Sequence, residues 1–133
     1  MPADTANVQS DLADWTAPII ADRIGEYYAM VLESAGVAYE DEGLKVARRH
    51  CRMWVCLLRG RDVEARACRR DLLRMGRAFG LTPERIDAID RAVIDELMDV
   101  VIGRFGRSRG VAHAYGMTLV EAAASLAQVR LAA

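Results

Sequence analysis

The chain has 133 residues, 53% hydrophobic and 28% charged, which suits one compact domain and excludes a disordered, collagen-like or purely coiled-coil protein. A formal net charge of −1 leaves no chain-wide basic excess. Three cysteines without paired spacing argue against a disulfide scaffold, and residues 1–15 hold three aspartates and no Lys or Arg, so neither a signal peptide nor a membrane span is expected and the setting is read as cytoplasmic.

Helical spacing recurs in each long stretch, and no segment keeps the alternation of a half-buried strand, so the fold is expected to be all-α. Val8 to Trp15 reads as a short segment within a frayed extension over residues 1–15. Thr16, Ala17 and Pro18 read as a cap and first turn, after which Ile20, Ile24, Tyr27, Tyr28 and Val31 repeat at helical intervals up to a stop at Gly36. Glu40, Asp41 and Glu42 open the next helix, whose stripe is Leu44, Ala47, Cys51, Trp54, Val55 and Leu58, and Gly60 closes it. Asp62 reads as the cap of a third helix with Ala65, Cys68, Leu72, Met75 and Phe79 on its apolar face, ending at Gly80. Thr82, Pro83 and Glu84 give cap, first-position proline and first-turn acid, and Ile86, Ile89, Val93, Leu97 and Val100 continue that helix. Beyond Gly103, Gly106 and Gly110, a last helix presents Val111, Tyr115, Leu119, Ala122, Leu126 and Val129. The expected product is a single bundle of five or six helices whose last two are long. Their length and the run Ala122, Ala123 and Ala124 suggest packing against a second copy, a homodimer.

Charge is sorted along the chain. Residues 1–44 carry nine acids against Arg23, a balance of −8, whereas residues 45–77 carry eleven bases against Asp62, Glu64 and Asp71, a balance of +8. The basic stretch, with Arg48, Arg49, Arg52, Arg66, Arg69, Arg70, Arg74 and Arg77, is either a phosphate-binding surface or a pair of basic helices lying against acidic ones or facing water. Without interleaved aromatics, and with a pI near 6.1, the second reading is preferred and nucleic acid is not expected as a partner.

Reactive chemistry is sparse. His50 and His113 have no second metal-ligand type at a recognised spacing, and Cys51 and Cys56 point in different directions round one helix, so no metal site is expected. The cysteines read as small buried hydrophobes and His50 as a hydrogen-bonded histidine. No nucleophile elbow, P-loop, dinucleotide fingerprint or Glu-x-x-His pattern occurs, so no catalytic residues are expected and the chain is read as not an enzyme.

A family comes into view between Tyr27 and Ala92. Tyr27-Tyr28 matches an aromatic pair; His50, Met53, Trp54, Leu57, Leu58 and Gly60 follow Gln-x-x-His-Trp-x-x-Leu-x-x-Gly, with His50 at the Gln and Met53 at the His. Met75-Gly76-Arg77-Ala78-Phe79 follows Ile-Gly-x-x-His, and Gly80-Leu81-Thr82-Pro83-Glu84 follows the Gly-Leu-x-Pro that starts the next helix. These pieces resemble the sensor globins of the globin-coupled-sensor and protoglobin type, found at the head of bacterial signal transducers. In that family the iron is held by the histidine of Ile-Gly-x-x-His. Phe79 or Gly76 stands there in this chain, and neither can ligate iron.

The resemblance therefore points to the haem-free branch, as in the N-terminal domains of stressosome regulators. It implies a globin-like, homodimeric sensor or regulatory domain over residues 1–133, without cofactor, joined through its last two helices and acting on a downstream signalling protein. Tyr28, His50, Trp54 and Met75 are the residues expected to line any pocket. The competing readings are a haem sensor using His50 or His113 and a helical nucleic-acid-binding module using residues 45–77.

Overall fold

The computed structural model describes residues 5–34, 41–78 and 80–132, the side chains of residues 5–7, 31, 41, 42 and 132 excepted. They form five helices and, among the described residues, no strand: α1 (Thr5–Ser34), α2 (Asp41–Leu58), α3 (Asp62–Arg77), α4 (Pro83–Phe105) and α5 (Arg109–Ala132). The expected ends or contacts at Gly36, Glu40, Val31 and Phe79 lie outside the described residues.

Two glycines make the sharpest corners. At Gly60, φ is +73°, Gly60 N–H donates to Leu57 O at 3.1 Å and Arg61 N–H to Cys56 O at 2.8 Å. At Gly80, again at φ +73°, the same pair of bonds runs from Gly80 to Arg77 and from Leu81 to Gly76. Both are Schellman ends, which satisfy the last carbonyls of a helix by placing a residue without Cβ in the left-handed region. The first folds α3 back on α2 so that Arg49 faces Asp71, equidistant from Gly60 in sequence, as an antiparallel hairpin requires. Thr82 then caps α4 as expected, its hydroxyl accepting from Arg85 N–H at 3.3 Å with Pro83 behind it.

Several expectations need correction. Residues 5–15 are not a frayed extension: they are the first turns of a thirty-residue α1 that runs through Pro18. Thr16 caps nothing. It is fully buried and its hydroxyl donates back to Leu12 O at 2.5 Å, while Leu12 and Ala13 enter the core. Burial of those side chains outweighs the lost amide at Pro18, whose ring lies on the exposed side. Asp62 is the first residue of α3 and not its cap, because the Gly60 corner already uses Arg61 as the flanking residue of both helices. The buried face of α2 is turned from the expected stripe. It includes Val46, Ala47, His50, Met53, Trp54, Cys56, Leu57 and Leu58, whereas Leu44 is 39% exposed and Cys51 and Val55 are half-buried. On α4 Val101, not Val100, completes the face, and on α5 Val111 is exposed.

One contiguous core joins all five helices, as a single all-α domain requires. α2 packs between α1 and α3; α4 pairs with α5, and α5 also reaches α1, α2 and α3. At the α4–α5 end, Phe105 stacks on Tyr115 with centroids 4.8 Å apart and meets Trp15 of α1 edge-on at 5.3 Å. This aromatic clasp holds the start of α1 to the far end of the bundle.

Candidate functional site

The most unusual feature of the interior is ionic. Ile86, Ile89, Val93 and Leu97 make α4 apolar on its inner face, and Asp90 lies on that same face with no exposure. An isolated buried carboxylate is costly, so its partners define the site. Asp90 Oδ1 accepts from His50 Nε2 at 2.5 Å and from Trp54 Nε1 at 2.9 Å. Its Oδ2 accepts from Arg69 Nη1 at 3.3 Å and from Arg130 Nη2 at 3.0 Å. His50 Nδ1 lies 2.7 Å from the Tyr28 hydroxyl. Around the rim, Asp87 Oδ1 accepts from Arg69 Nη2 at 2.9 Å and pairs with Arg130 Nε at 3.0 Å, without the alignment of a hydrogen bond.

Every helix therefore contributes: Tyr28 from α1, His50 and Trp54 from α2, Arg69 from α3, Asp87 and Asp90 from α4, Arg130 from α5. Two guanidinium groups balance two carboxylates before His50 is counted. Because an ionised Asp90 can only accept, Nε2 of His50 must donate to it. Nδ1 then accepts the Tyr28 proton in the neutral ring or donates to the hydroxyl oxygen in the cation. Burial alone pushes the Asp90 carboxyl up, yet the charge and hydrogen bond of His50, with the bonds from Trp54 and Arg130, more than offset it and hold the group below its ordinary value.

Of the four residues expected to line a pocket, Tyr28, His50 and Trp54 come together, fully buried and bonded directly or through Asp90. Met75 does not join them: it is half-buried on α3, packed against the core. Those three polar side chains are hydrogen-bonded to one another or to Asp90, so this part of the interior is a packed network. An open cleft of about 440 Å³ lies instead between α1 and the α4–α5 turn, lined by Asp11, Asp14, Trp15, Arg104, Phe105 and Tyr115. There the Arg104 guanidinium sits 4.4 Å from the Trp15 ring centroid.

Sequence reasoning missed Asp90 and Arg130, and it placed Arg69 only in the basic stretch, where the structure buries it against Asp87 and Asp90. A signal was present: Asp90 is four residues after Ile86 and three before Val93, and Arg69 is four after Ala65 and three before Leu72. A charge on an apolar stripe has to find a partner inside. Among the described residues no group of three or more His, Cys, Asp or Glu side chains is arranged to hold a metal ion, and no helix is long and apolar enough to cross a membrane. Cys56 and Cys68 are buried and Cys51 half-buried; desolvation pushes the Cys51 thiol up to about 11. Comparison with known protein families, curated proteins and solved structures gives no match.

Proposed function

We propose that this chain is a regulatory domain of the haem-free, globin-like sensor kind, acting as a homodimer and passing a signal to a partner protein through helix packing and not through catalysis. The observation that carries the reading is the convergence of all five helices on the Asp90 carboxylate. A buried ionic node has few acceptable geometries, since moving α3, α4 or α5 breaks an ion pair and moving α1 or α2 breaks a hydrogen bond of His50. Such an interior favours discrete helix arrangements over a continuum. A ligand or partner that binds one arrangement better than another then shifts the whole bundle, and one with equal affinity for both shifts nothing.

Two further features support it. Both His50 nitrogens are already bonded, and Gly76, one of the two positions matching the family's iron ligand, is packed so closely that a Cβ there would meet Leu81 Cβ at 3.2 Å. His113, the other candidate ligand, is exposed on α5. The outer face of α5 carries His113, Met117, Val120, Ala124, Ala127 and Leu131, all exposed and spaced alternately four and three residues apart. That is the seam spacing of a helix that packs along a second helix, and Ile102 adds an exposed apolar side chain from α4.

The test is an absorption spectrum of the purified chain before and after haemin addition, with its mass by light scattering. The expected result is no Soret band and twice the 14.7 kDa chain mass. A stable Soret band, or a monomer at tens of micromolar, overturns the proposal.

A further inference from the structure

Several arginines of the basic stretch stay exposed among the described residues. Arg48 and Arg52 on α2, and Arg66, Arg70 and Arg77 on α3, are exposed, and none has an ion pair or hydrogen bond to another described residue. Between the acidic first helix and this basic pair of helices, the ion pair among the described residues is Arg59 with Asp14. α2 and α3 pack along each other, and at their seam Asp71 pairs with Arg49 at 3.8 Å, while Arg74 pairs with it from the same helix at 3.2 Å. On the exposed sides of this helix pair, among the described residues, guanidinium groups outnumber carboxylates.

From this surface we infer that α2 and α3 bind the sugar–phosphate backbone of a nucleic acid duplex, without reading base sequence. The inference does not depend on the regulatory function proposed above. Arg66 to Arg77 spans about 16 Å of helix, at 1.5 Å per residue. Duplex DNA presents a phosphate every 1.7 Å or so of its axis, so several fall within reach of five long side chains. Of the chain's eighteen basic residues seventeen are arginine, whose fork pairs two phosphate oxygens at once.

Two absences among the described residues select this partner. An acidic protein would need apolar anchors for a stable interface, yet the exposed large apolar side chains on α2 and α3 are Leu44 and Val63, at the starts of the two helices. A single strand would need aromatic platforms for its bases, and the α2 aromatic, Trp54, is fully buried. What remains is a surface suited to backbone charge.

Fluorescence anisotropy with a labelled duplex of about 20 base pairs, in DNA and RNA arms, tests the inference in the intact chain. Expected is binding at 50 mM salt to at least one duplex, with a slope of log K against log salt of about −4.5 for five neutralised phosphates. The variant R48Q/R52Q/R70Q/R77Q should lose at least a hundredfold in affinity and bring the slope to about −1. A matched variant on other exposed surfaces, R85Q/R91Q/R107Q/R109Q, should lose less than threefold. Circular dichroism melting, expected to be close to the parent for both variants, separates lost contacts from lost folding. No binding at 50 mM salt, equal losses in the two variants, or polyglutamate binding as tightly as the duplex overturns it.

Discussion

Asp90 is where a single residue matters most. In Asp90→Asn the shape is kept and the charge is lost, leaving Arg69 and Arg130 to share Asp87 while His50 and Trp54 face an amide. Breaking one side of a buried ionic network costs about 3–5 kcal/mol, so the urea midpoint should fall by that equivalent. The same substitution should flatten the acid limb of stability. The carboxyl is held below its ordinary value of 3.8, so it contributes stability in full above that value and loses it as the pH falls through the lower native one. The parent should lose stability steeply below about pH 4, and Asp90→Asn much less so; equal acid limbs would remove Asp90 as the titrating group. Cys51 and Cys56 behave oppositely. With the Cys51 thiol pushed up to about 11 and Cys56 raised chiefly by burial, then by Cys68 and Glu64 against the opposing pull of Arg52, little thiolate exists at pH 8. Native protein should react with Ellman's reagent far more slowly than protein in 8 M urea; a fast native phase would refute that assignment.

Helices depart from the sequence reading where packing overrides local signals. Thr-x-Pro at residues 16–18 is a sound helix start in isolation, yet residues 5–34 form one helix because Leu12 and Ala13 bury against the rest of the domain. Pro18 then sits inside α1 without an amide to donate. Replacing it with Ala restores one backbone hydrogen bond on an exposed side, and Pro18→Ala should stabilise by up to about 3 kcal/mol, raising the melting temperature by several degrees. A lowered melting temperature would show that the proline's rigidity outweighs the missing bond. The rotation of the α2 stripe has a similar origin. His50 reads from the sequence as a hydrogen-bonded histidine outside the apolar stripe, and its bonds to Tyr28 and Asp90 draw that side of the helix inward and leave Leu44 exposed.

At the scale of the molecule, α5 has two unlike faces. Its inner face, with Leu119, Ala122, Leu126 and Val129, closes the core, and Arg130 reaches the Asp90 node. Its outer face carries the four-three seam, about 27 Å long from His113 to Leu131. Ala124 is exposed within one protomer, so Ala124→Glu leaves the monomer fold intact and sets like charges opposite each other in a homodimer. The variant should melt near the parent's temperature, after allowance for concentration, and run as a monomer by light scattering; a persisting dimer would move the contact elsewhere. Because the same helix bears the seam and a ligand of the central carboxylate, the proposed homodimer would join a change in its packing to a change in the interior.

What the chain's own residues determined is local: helical periodicity, the Schellman glycines at 60 and 80, the Thr82-Pro83 start and the segregation of charge follow from neighbours within a turn or two. Tyr28, His50 and Trp54 could be singled out because aromatic and imidazole groups are conspicuous on apolar stripes. Tertiary structure alone decided that His50 and Trp54 meet Asp90, with Tyr28 on His50, that Arg69 and Arg130 reach the same carboxylate, and that other arginines of α2 and α3 stay exposed among the described residues. Those outcomes join residues up to 40 positions apart. A buried charge is decided by whichever distant group arrives to pair with it, and periodicity carries no information about that encounter.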